Sequence, residues 1–78
     1  MKEYYFLVVS VIDKNGNREE AHEITGSCNK EKLLLKRTEL ENEIRSGKYD
    51  KYALSPDDTL SADIEVHNDE TNELLRIE

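Results

Sequence analysis

The chain has 78 residues, of which 36% are hydrophobic and 37% charged, and its net charge is −7. That length has room for one core, so a single small domain over residues 1–78 is expected, and the acidic balance disfavours direct nucleic-acid binding, which needs Lys and Arg to displace counterions. The lone cysteine, Cys28, excludes an internal disulfide and fits a reducing compartment; no apolar run approaches the ~20 residues that cross a bilayer, and Met1-Lys2-Glu3 lacks the form of a signal peptide, so a cytoplasmic location is expected.

Tyr4 to Ile12 is the one long apolar run. Its β-branched and aromatic residues suit a pleated, buried surface. Tyr5, Leu7, Val9 and Val11 fall on one face and Tyr4, Phe6, Val8 and Ile12 on the other, as in a central strand apolar on both sides. Asp13-Lys14-Asn15-Gly16 then supplies a turn closing on a left-handed residue. The chain returns as a polar strand, Arg18 to Thr25, and a four-residue loop would set Ile12 opposite Asn17, Val8 opposite Ala21 and Tyr5 opposite Ile24.

Gly26 to Asn29 breaks that strand, and Ser27 or Asn29 is placed to cap a helix. From Lys30 the residues favour helix, with Leu33, Arg37, Leu40 and Ile44 on one face and Leu35 pointing away. Gly47 stands where a left-handed residue ends the helix. Residues 48–60 are irregular, with Tyr49 and Tyr52 as apolar plugs under the helix end and a proline turn at Ser55-Pro56-Asp57-Asp58.

Leu60, Ala62, Ile64 and Val66 alternate with Ser61, Asp63, Glu65 and His67, a half-buried strand. A turn ending on Asn72 leads to a last strand, Leu74 to Ile77, whose four-residue loop would pair Val66 with Leu75 and Ile64 with Ile77.

The order is ββαββ, an α+β layout with one helix laid on a four-stranded sheet. A strand order 2-1-4-3 resembles a β-grasp in general layout; 2-1-3-4 is the fully antiparallel alternative.

Candidate chemistry is sparse. Cys28 lies near a helix start, but His22 is several residues from it, and one Cys with two separated His offers no zinc spacing. His67 to Glu73 is rich in oxygen donors yet lacks the EF-hand pattern, and Asp57-Asp58 is a carboxylate pair in a chain with 18 acidic residues. No catalytic residue, metal site or cofactor is expected, and neither is a membrane partner. One helix covers only one sheet face, which leaves Tyr4, Phe6, Val8, Ile12 and Ala21 as a partner-binding surface for another protein or a second copy. The expected function is therefore a small, non-enzymatic interaction or regulatory module. The alternative is an inhibitor that mimics nucleic acid. Residues 39–78 carry a balance of −8 against +1 for residues 1–38, and Glu39, Glu43, Asp57, Asp58, Asp63, Glu65, Asp69 and Glu70 would occupy a basic groove.

Overall fold

A computed structural model describes residues 2–78. It contains β1 (Glu3–Ile12), β2 (Arg18–Ser27), α1 (Lys30–Arg45), β3 (Thr59–Asn68) and β4 (Leu74–Ile77), with a 3₁₀ turn at Asp50–Tyr52. The α+β, ββαββ layout is as expected. The sheet order is β2-β1-β3-β4 and every pair is antiparallel. Of the two orders compatible with the sequence, the fully antiparallel one is realised, and the β-grasp-like order is not. Strand length explains the choice. β3 matches β1 over ten rows, from Glu3 opposite Asn68 to Ile12 opposite Thr59. β4 has four residues, so placing it at the centre would leave most of β1 unpaired; a short strand is better tolerated at an edge.

The helix forms where capping and periodicity agree. Asn29 accepts a hydrogen bond from the Glu31 amide, and Ser27 accepts one from Asn29. At the other end Gly47 has φ +90°, its amide donates to Ile44 and that of Lys48 to Glu43, a Schellman closure. Leu33 and Leu40 are buried against Leu7, Val9, Ile64 and Val66, while Ile44, Tyr5, Leu60 and Ala62 pack around them. Tyr49 and Tyr52 join the same cluster beneath the helix end. Arg37 is half-buried and reaches the Glu78 carbonyl, at 3.4 Å. Leu35 is 77% exposed. No helix among the described residues is long and apolar enough to cross a membrane.

Both turns have the expected chemistry, with Gly16 at φ +85° and Asn72 at φ +62°. Both hairpin registers differ from the simple pairing. The first turn closes with the Asp13 amide donating to the Asn17 carbonyl, so Ile12 faces Arg18; one extra residue then enters β2 at Glu19 and another at Ile24, so Ser10 faces Ala21, Val8 faces Glu23 and Tyr5 faces Ser27. In β4 the bulge falls at Leu75. His67 faces Leu74, but Val66 faces Arg76 and Glu65 faces Ile77. The expected pairing of Val66 with Leu75 and Ile64 with Ile77 is corrected accordingly, and Ile77 lies on the face opposite the helix. The bulge turns Arg76 to the helix side, where it bonds both Glu3 oxygens at 2.9 and 3.2 Å and Glu78 at 2.7 Å.

Candidate functional site

The face of the sheet away from α1 is built from alternate residues of all four strands. In the rows that β1 defines, Tyr4 lies beside His67 and then Leu74; Phe6 lies beside Gly26 on one side and Glu65 and Ile77 on the other. Val8, Ser10 and Ile12 continue the central row, flanked by Glu23, Ala21 and Arg18. All five expected partner-binding residues, Tyr4, Phe6, Val8, Ile12 and Ala21, share this face. They do not form one patch.

The reason is a polar strap. Arg18 starts beside Ile12, its Nε donates to Ser10 Oγ at 3.0 Å, and its Nη2 meets Glu65 Oε2 at 2.5 Å. Because Glu65 sits in the Phe6 row, the two side chains meet over Val8. The Arg18 stem and the Glu65 carboxylate thus shield what lies beneath: Val8 is 2% exposed and Ser10 0%. The expectation that Val8 forms part of an open partner-binding surface is corrected. Nη2 of Arg18 is closed off from solvent and makes no well-aligned hydrogen bond, with the carboxylate as its counter-charge. The other oxygen of Glu65 lies 2.9 Å from His67 Nε2. Burial pushes the Glu65 carboxyl up, but its contacts with His67 and with the Arg18 guanidinium outweigh it and hold the group below the ordinary carboxylate range.

The strap divides the face. Ile12 and Ala21 remain at one end. At the other, Phe6 packs on Tyr4 with ring centroids 5.1 Å apart and takes the edge of His67 at 4.9 Å. Gly26 makes this possible, since a Cβ there would lie 2.9 Å from Tyr4 Cε2 and 3.0 Å from Phe6 Cδ1. Leu74 and Ile77, 44% and 45% exposed, extend this aromatic corner onto β4. The sequence reading missed Ile77 because its face depends on the bulge at Leu75, whereas Leu74 precedes the bulge and faces His67 in either register.

Comparison with family models, curated proteins and solved structures finds no match.

The other candidates sit apart from this corner. Cys28 is exposed just before α1. His22 lies in the Val9 row, four rows from the end of β2, or about 13 Å along the strand. It stacks on Tyr52 at 3.9 Å and bonds Glu20 at 3.0 Å. In the β3–β4 turn the Asn68 side chain accepts from the amides of Glu70 and Thr71. Asp58 accepts from the amides of Leu54 and Ser55. No three of His, Cys, Asp and Glu converge among the described residues. The carboxylates of the acidic half are dispersed: Glu43 of α1 pairs with Lys48 just beyond the helix end, whereas Asp63 and Glu65 lie on the face of the sheet away from the helix.

Proposed function

We propose that this protein is a small, non-enzymatic interaction module that docks a protein surface on the Tyr4–Phe6–Leu74–Ile77 corner, and that a second copy of the chain is the occupant. The supporting observation is the uncovered sheet face itself. α1 lies on one side only, and two adjacent rows of the other side present aromatic and aliphatic groups across three strands. Apolar clusters left in water in this way mark interaction sites. A second copy brings the same patch, and a twofold arrangement sets apolar against apolar. The patch is well below the ~800 Å² per partner of a standard interface, so the association is weak and depends on concentration.

Sedimentation equilibrium tests the reading. The unaltered chain should self-associate as concentration rises, and Phe6→Lys should be monomeric with unchanged circular dichroism, because pairing two patches would bury an ammonium among apolar groups while the neighbouring Glu65 is already engaged by Arg18 and His67. A wild-type chain that stays monomeric at millimolar concentration removes the second copy as occupant.

A further inference from the structure

β3 is paired with β1 along its whole length but with β4 only at Glu65 to His67, and Glu78 closes the hydrogen bonds of Ile64 in both directions. Successive residues of an antiparallel strand point their amides to opposite sides. Leu60 and Ala62 have the parity of Ile64, so their N–H and C=O groups face away from β1, and among the described residues no strand takes them. Half of an interior strand is therefore an edge. The molecule's other edges are blunted. β2 carries bulges at Glu19 and Ile24 and the charged residues Glu20 and Glu23, one on each face, and β4 is short and bulged. Straight, unbulged Thr59–Asp63 has neither device, and unprotected edges template strand addition.

A groove runs beside this edge on the helix side. It consists of two depressions of about 250 and 370 Å³ that share Ile44 and Leu60. Its walls carry Glu41, Asp50 and Asp58 against Arg45 alone. Asp58 also crowds the Glu19 carboxyl, which is pushed up by its contact with Asp58 and by burial.

We propose that Thr59–Asp63 accepts an extended, lysine-bearing peptide as an added antiparallel strand. Its backbone bonds the free groups of Leu60 and Ala62. Alternate lysines lay their stems over Ile44 and Leu60 and bring their ammonium groups to Asp50 and Asp58. A second copy is the less fitting occupant. Pairing two β3 edges through Leu60 and Ala62 puts Asp58 of each copy beside Glu78 of the other, carboxylate against carboxylate. This site is on the helix side of the sheet and is separate from the aromatic corner.

The probe is a capped, fluorescein-labelled heptapeptide alternating Thr and Lys, compared with its Thr–Glu counterpart. The lysine peptide should bind at least about tenfold tighter by anisotropy, weaken with added salt, and slow hydrogen exchange at the Leu60 and Ala62 amides. Ala62→Pro removes the outward N–H without touching the β1 ladder and should abolish binding. Asp50→Lys, which leaves the backbone intact, should weaken it about tenfold even if the proline variant folds poorly. Phe6→Lys should bind the peptide normally, which separates this site from the docking corner. Equal affinity for both peptides, protection at β2 instead of β3, or a wild-type dimer dissociated by Asp50→Lys would overturn the proposal.

Discussion

Ser10 is the residue on which the uncovered face turns. It is a hydroxyl inside an apolar run, fully buried, and a buried polar group must find a partner. Arg18 supplies it and goes on to Glu65, so one hydrogen bond and one ion pair cover Val8. Arg18→Met should cost about 1–3 kcal/mol in urea denaturation, because it strips the charge partner from a largely buried carboxylate. The double change Arg18→Met with Glu65→Met should cost less than the sum of the singles, since no charge is then stranded. The pH dependence has a definite sign. A carboxyl depressed in the folded state adds stability that is complete above its unfolded value, near ~4.3, and is lost as pH falls through the folded value. Glu65→Gln should therefore be most costly at neutral pH, and the gap from wild type should narrow below about pH 4. Glu19 has the opposite sign, because Asp58 and burial raise it. Glu19→Gln should increase stability at pH 7, with a benefit that fades on acidification. The strap is partly legible in the sequence: Ser10 interrupts the apolar run, but its partner depends on how the first turn closes, since the pairing of Asp13 with Asn17 sets Arg18 opposite Ile12.

At the scale of elements, α1 separates core from surface within two turns. Leu40 is 2% exposed and Leu35 77%. Leu40→Ala should cost about 2–5 kcal/mol, and Leu35→Ala should be nearly neutral; comparable losses in chemical denaturation would mean the helix is rotated. The helix is legible because caps, periodicity and a terminal glycine agree, and each is a local signal. The turns are legible for the same reason: Gly16 and Asn72 are residues that tolerate positive φ. Gly16→Val should destabilise by more than about 1 kcal/mol, and Asn72→Gly should be neutral or slightly stabilising. The bulges at Glu19, Ile24 and Leu75 are not legible. An extra residue alters no composition and shifts the faces only beyond it. β4 shows the consequence, for one inserted residue exchanges Arg76 and Ile77 between the two sides of the sheet. Sheet order was open as well, because alternation in a strand names its buried face but not its neighbour.

The whole molecule is a thin slab, with Cα extents of 40 × 24 × 15 Å, made of one helix layer on one sheet. Such a molecule has a single core, and β1 is its divider. Leu7 points into that core and is 1% exposed, while Phe6, the preceding residue, is half-buried at the aromatic corner. The same substitution at these neighbours should thus have opposite outcomes. Leu7→Lys puts an ammonium among Val9, Leu33, Leu40, Ile64 and Val66 with no counter-charge, and desolvation costs several kcal/mol. That is a large share of the roughly 5–15 kcal/mol that stabilises an ordinary domain, so Leu7→Lys should be unfolded by circular dichroism at 25 °C. Phe6→Lys forfeits contacts with Tyr4 and His67 but can turn its ammonium to water from the open side, and it should melt cooperatively at a modestly lower temperature. A folded Leu7→Lys would mean that the core is not where the helix lies. An unfolded Phe6→Lys would mean that the aromatic corner is structural, bracing β1 against β3 as well as offering a surface.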